Sequence, residues 1–179
     1  MFESAKLAGT PRKGIVLQTR KGRPIVNEQA GAPDAQHISE DARNRAEHIR
    51  WEPRKPLCGI YNCYGHIWAS RRTAIYDVDE LEKIRQDDGY RELGQGEAPA
   101  HGDIVVYRLV TGTISHVGVV SELRQLLGGA SMESPREPWI LSKWSDHSCE
   151  CLHHVNDVVL PTNLYSFTFW TDRPRLPNA

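Results

Sequence analysis

The rhythm of apolar and polar residues changes several times along this chain. Gly14 to Thr19 and Pro24 to Asn27 are short β-rich runs around Arg20-Lys21-Gly22-Arg23, which predicts an amino-terminal hairpin. Asn27 to His37 is rich in Gly, Ala, Pro and Asp and reads as a linker. Ser39 is then placed to cap a polar helix running to about Arg50, stopped by Pro53 and Pro56. From Cys63, the residues Tyr64, Ile67 and Trp68 fall at three- and four-residue steps, predicting a short helix with Asn62 at its cap and Cys63 in its first turn. Asp77 with Glu80 three positions on, then Leu81 and Ile84, then Gly89, predicts a second helix with a capping box and a glycine stop.

After Pro99 the period shortens to that of strands. Asp103 to Arg108 and Ile114 to Ser121 flank a Thr-Gly-Thr turn and predict an antiparallel hairpin. Trp139 to Trp144, Leu152 to Leu160 and Leu164 to Trp170 predict further strands. Helices first and a strand meander afterwards argue for an α+β domain. Residues 1–50 read as an amino-terminal arm and residues 51–179 as the main domain.

At 179 residues the chain is long enough for one substantial core, and 39% hydrophobic with 25% charged residues is an ordinary globular balance. The 22 Lys plus Arg nearly cancel the 23 Asp plus Glu, so no global field draws in nucleic acid or an anionic bilayer. The first residues lack the apolar segment of a secretory signal, and no stretch reaches membrane-spanning length. Synthesis in the cytosol is therefore expected, with export as an effector left open.

Two residues can carry nucleophilic chemistry. Cys63 sits where a helix N-terminus lowers a thiol pKa, and an imidazole is the natural base for it. Among eight histidines, His116 lies inside an otherwise apolar strand. Strict alternation puts it beside Ile114, Gly118 and Val120, with Gly118 leaving room for an approaching group.

The run Asn62-Cys63-Tyr64-Gly65, then His101-Gly102-Asp103 opening a strand, then Ser115-His116-Val117-Gly118, resembles the layout of the NlpC-type and CHAP-type amidohydrolases. The resemblance spans about Leu57 to Val120. It implies a papain-like core with helices packed on an antiparallel sheet, and cleavage of an amide bond, often in peptidoglycan stem peptides. Cys63 would be the nucleophile and His116 the base, with Asn62, Tyr64 and Gly65 around the substrate. Tyr64 replaces the small Ser usual after the cysteine, which reshapes the pocket. The third residue, which orients the imidazole, is open among Ser142, Glu133, His147 and His154, with Ser142 and His154 favoured by their strand positions. No cofactor is expected; a peptide or peptidoglycan substrate and an inhibitor or immunity protein are the partners implied.

Other features compete. His66 is one helical step from Cys63 and would modulate it, while Arg71 and Arg72 would grip a carboxylate or complement the helix dipole. His147, Cys149, Cys151, His153 and His154 with Cys58 could form a zinc site, but the spacing is unfamiliar, so no metal is expected. A Cys149–Cys151 bridge is disfavoured by the single residue between them. Two alternatives stand beside the hydrolase: an acyltransferase or deamidase using the same thiol, and a papain-like binding module without catalysis.

Overall fold

The structure, a computed structural model, describes residues 13–29, 31–125, 136–159 and 164–174. It is α+β, built on one antiparallel sheet. The elements run α1 (Ala35–Glu47), β1 (Glu52–Lys55), α2 (Cys63–Trp68), α3 (Val78–Asp88), β2 (Arg91–Glu92), β3 (Ile104–Leu109), β4 (Ile114–Gln125), β5 (Arg136–Lys143), β6 (Glu150–His154) and β7 (Tyr165–Thr171). The sheet has seven strands in the order β1-β6-β5-β4-β3-β7-β2. The predicted meander forms its centre, and β7 returns to lie against β3.

Local signals explain most boundaries. Asn62 caps α2 with its side chain, and Asp77 caps α3 by accepting from the Asp79 amide. Gly89 closes α3 at φ 79°, a left-handed turn that costs glycine nothing. The expected Glu80 arm of a capping box is absent, because that carboxylate bonds Lys83 instead, 2.8 Å away. The linker expected to reach His37 is shorter: α1 starts at Ala35, capped by Asp34 in a reciprocal box with His37, and Ser39 lies inside the helix. The amino-terminal hairpin forms around a bridge between Gln18 and Pro24, with the Ile25 amide donating to the Leu17 carbonyl and the Thr19 amide to the Arg23 carbonyl, both at 2.9 Å. Of the run Leu152 to Leu160, only residues 152–154 are strand, and Leu160 lies outside the described residues.

The two faces of the sheet bury different layers. On one face α2 and α3 pack Cys63, Tyr64, Leu81 and Ile84 against Ile104, Val106, Val117 and Trp170. Ile25 joins this cluster from the hairpin, so the segment before residue 51 is built into the same core. The other face carries Val105, Tyr107, Val120 and Ile140 under Val155, Val158 and Trp144. Trp51, from the segment after α1, closes this face, stacking on Trp144 with centroids 5.6 Å apart.

Among the described residues, no helix is long and apolar enough to cross a membrane.

Candidate functional site around α2

Helix α2 is held by its cap more firmly than its six residues would warrant. The Asn62 carboxamide accepts from the amides of Gly65 at 2.9 Å and Ile75 at 3.2 Å, and donates to the Ile75 carbonyl at 2.6 Å. One side chain thus starts the helix and ties it to the chain after it. Gly65 is required by close approach, since a Cβ there would lie 1.8 Å from the Thr73 carbonyl oxygen. Tyr64 is buried and donates its hydroxyl to the Ile114 carbonyl at 3.1 Å. Asn62, Tyr64 and Gly65, expected to meet substrate, are therefore satisfied inside the protein and serve to position the helix.

Cys63 is 8% exposed. Burial pushes its thiol up to about 12, against the opposing pull of the Val117, Tyr64 and Cys63 backbone N–H groups and the Lys143 ammonium. In the resting protein the thiol therefore holds its proton.

His116 does not meet it. The β3–β4 register opposes Val106 to Val117 and Tyr107 to His116. Directly opposed residues share a face. Val106 and Val117 lie in the Cys63 layer, whereas Tyr107 belongs to the opposite one, so the sheet stands between the thiol and the imidazole. His116 stacks on Trp144, and burial drives its pKa well below the usual value, with His153 and His66 adding to the effect. Its Nε2 is buried without a partner among the described residues. Gly118 offers no open space, because a Cβ there would meet Ile140 at 2.3 Å and Ser142 at 3.0 Å. Ile114, expected beside His116, packs on the other face because the register shifts between Tyr107 and Arg108.

The residues expected to orient His116 are engaged elsewhere. Ser142 Oγ lies 2.8 Å from His153 Nε2, His154 pairs with Glu137 at 3.0 Å, and His147 pairs with Asp146 at 2.8 Å. Glu133 lies outside the described residues.

On the thiol's own face a different group of polar side chains converges. Glu150 and Lys143, from the facing ends of β6 and β5, are essentially unexposed. Glu150 accepts from Tyr61 Oη and from Arg71 Nε, the latter at 2.6 Å. Desolvation pushes the Glu150 carboxyl up, but the bonds from Arg71 and Tyr61 outweigh it and the net shift is downward. Arg71 also donates to His66 Nε2 at 2.9 Å. A guanidinium only donates, so that nitrogen must be the acceptor and the proton sits on His66 Nδ1, which has no partner among the described residues. Burial lowers the His66 pKa to about 4 against the opposing Glu150 carboxylate, with the Arg71 and Lys143 cations adding to the effect.

Two residues with positive φ, Ser70 at 49° and Arg71 at 65°, turn the chain so that the guanidinium reaches Glu150. Such conformations cost on the order of 1 kcal/mol each outside glycine and persist where surrounding contacts dictate them. Lys143 donates to the carbonyls of Ser148 and of Cys58, the latter at 3.0 Å, and burial lowers its pKa.

Nothing in the motif pattern pointed to Lys143, Glu150 or Tyr61. The available signal was a lysine and a glutamate inside largely apolar runs, Leu141 to Trp144 and Cys149 to Leu152. An open depression of about 630 Å³ adjoins Arg71 and Arg72 and is floored by Ile15, Val16 and Ile60. Cys63 does not line it. Among the described residues, no three His, Cys, Asp or Glu side chains converge as metal ligands.

Comparison with protein-family models, with curated proteins and with solved structures finds no match to this chain.

Proposed function

We propose that the protein is a cysteine-dependent hydrolase of amide bonds with a papain-like arrangement, in which Cys63 is the nucleophile and Lys143, rather than His116, takes its proton. The observation that carries this reading is the surroundings of Cys63 Sγ. It lies in the first turn of a capped helix, among backbone N–H groups, and the buried Lys143 ammonium adds a favourable charge. N–H groups at a helix start suit a developing oxyanion, and a desolvated lysine is an established type of general base.

Both described hydrogen bonds of Lys143 run to carbonyls. A neutral amine has two N–H donors and one lone pair, so Lys143 could keep both bonds and still accept a proton. In the proposed cycle, Cys63 Sγ adds to the amide carbonyl carbon and its proton passes to the Lys143 amine. The ammonium returns that proton to the departing amine nitrogen, and water then hydrolyses the thioester and restores the thiol. Peptidoglycan stem peptides are the substrate class implied by the resemblance, with an immunity or inhibitor protein as partner and an exported effector role as the setting. Transfer to an acceptor other than water would give the acyltransferase or deamidase variant.

The test is digestion of a synthetic stem peptide and of purified sacculi, followed by mass spectrometry, with wild type and Cys63→Ala. Cleavage by wild type and none by the variant is expected. The rate should rise with pH as Lys143 loses its proton, below about 10.4, whereas a base like His116 would leave it flat above about pH 6.5. Undiminished cleavage by Cys63→Ala would overturn the proposal.

One observation favours a second reading, a binding module without catalysis. The sheet separates Cys63 from His116, and the thiol is nearly sealed. Absence of any cleavage, with Cys63 unreactive to iodoacetamide until the protein is unfolded, would leave this reading standing.

A further inference from the structure

The thiols of Cys149 and Cys151 lie 3.1 Å apart, on the face of the sheet away from Cys63. Cys151 is fully buried and fixed in the ladder, opposite Pro53 on one side and Ser142 on the other. Cys149 precedes β6, and its amide is held by the Asp41 carboxylate at 2.8 Å. Cys149 lies outside the strand ladder that fixes Cys151, and the 3.1 Å approach of the sulfurs shows that a single intervening residue lets the two thiols meet.

Cys149, 4% exposed against 0% for Cys151, borders a depression of about 360 Å³ whose walls include Arg45, Arg54 and Lys55. Asp41 is paired with Arg45 at 2.9 Å, and Arg54 with Glu52 at 2.8 Å and Glu122 at 3.3 Å, which leaves Lys55 as the unpaired cation of the walls among the described residues. The opening therefore favours an anionic reagent and leads to one thiol of a pre-approached pair.

We infer that Cys149 and Cys151 form a thiol–disulfide exchange site for small anionic disulfides of the glutathione type, with Cys149 as the attacked and attacking position and Cys151 as the resolving one. Cys149 thiolate attacks one sulfur of the small disulfide, forming a mixed disulfide and releasing one thiolate. Cys151 thiolate then attacks the Cys149 sulfur, forming the Cys149–Cys151 bond and expelling the second thiolate. The two protein protons pass to the released thiolates, so one disulfide is reduced to two thiols as the protein dithiol is oxidised. Cys63 takes no part, so this inference and the proposed hydrolase activity stand or fall separately.

The 3.1 Å contact lets either thiol hydrogen-bond the other sulfur, so a proton passes between them as Cys149 becomes the thiolate. Arrival of an anionic disulfide at the basic wall sets up the exchange, and the proton leaves with the first released thiolate.

The experiment exposes the full-length protein to glutathione disulfide, quenches with acid, alkylates after unfolding and maps the peptides by mass. The expected product is a peptide carrying a Cys149–Cys151 disulfide, lighter by two hydrogens and free of alkylation, with Cys58 and Cys63 alkylated. In Cys151→Ser, glutathione should remain attached to Cys149; in Cys149→Ser, Cys151 should stay reduced because it is sealed. Cystamine, a cationic disulfide, should react at least several-fold more slowly than glutathione disulfide. Complete alkylation of both cysteines after exposure to excess glutathione disulfide would overturn the site, as would a bond from either one to a different cysteine. Equal rates for the two reagents would overturn the assigned anion preference. The wild-type result decides the matter even if a serine variant fails to fold.

Discussion

Trp144 stacks on His116 with ring centroids 3.8 Å apart and planes 15° from parallel, on the side of the sheet away from Cys63. The column continues from Trp144 to Trp51 and from Trp51 to His48, whose centroids are 4.4 Å apart. In this setting the His116 imidazole acts as an aromatic plate, and its unpartnered Nε2 is a cost.

Replacing His116 by Phe keeps the stack and removes the orphaned nitrogen. An unmatched buried polar atom costs about 1–3 kcal/mol, so His116→Phe should equal wild type or gain on the order of 1 kcal/mol in chemical denaturation. Cleavage of a stem peptide should also survive. A variant that folds but loses all cleavage would restore His116 to the chemistry.

Glu150→Gln should cost about 2–3 kcal/mol, read from the denaturant midpoint at constant slope. It removes the charge that Arg71 and Tyr61 were brought inside to meet. Breaking a fully buried pair costs about 3–5 kcal/mol. The lower figure applies here because the Arg71 side chain remains 34% exposed and water screens part of the loss.

Gly65→Ala should be among the most damaging single-methyl changes in the protein, costing about 3 kcal/mol or more. Its Cβ would have to displace the Thr73 carbonyl, which is backbone and cannot rotate away. Gly89→Ala, whose Cβ would meet nothing within 4 Å but whose φ is 79°, should cost only about 1 kcal/mol. Comparing the two melting temperatures separates steric contact from backbone conformation.

Acid should destabilise the fold well above the carboxylate range. His66 and His153 are both lowered to about 4, chiefly by burial. An unfolded histidine titrates near 6.5, so between about 4 and 6.5 the unfolded chain binds protons that the folded one refuses. Stability is then fully present above about 6.5 and falls as the pH drops toward 4, by up to roughly 3 kcal/mol for each group. Urea midpoints at pH 7 and pH 5 measure the slope, to which the depressed His116 also adds, and His153→Gln should flatten it by about a third.

The sequence by itself determined the local structure at the site. Asn62 before an apolar three- and four-residue rhythm predicted α2 and its cap, Asp77 and Gly89 bracketed α3, and alternation found the strands that became β3, β4, β5 and β7. These signals are short-range, carried by side chains that bond the backbone a few residues away or by a period that names a buried face. Which face a residue occupies relative to another element was a tertiary matter. Alternation correctly grouped His116 with Gly118 and Val120, but only the pairing of β4 with β3 and the seating of α2 decided that this group faces away from Cys63. The Lys143, Glu150, Arg71 and Tyr61 cluster was likewise hidden, because its members come from four separate segments and a buried charge is recognisable only once its partner is in place. A two-residue period fixes sides within a strand, whereas the side on which a helix lands is fixed by packing across the whole sheet.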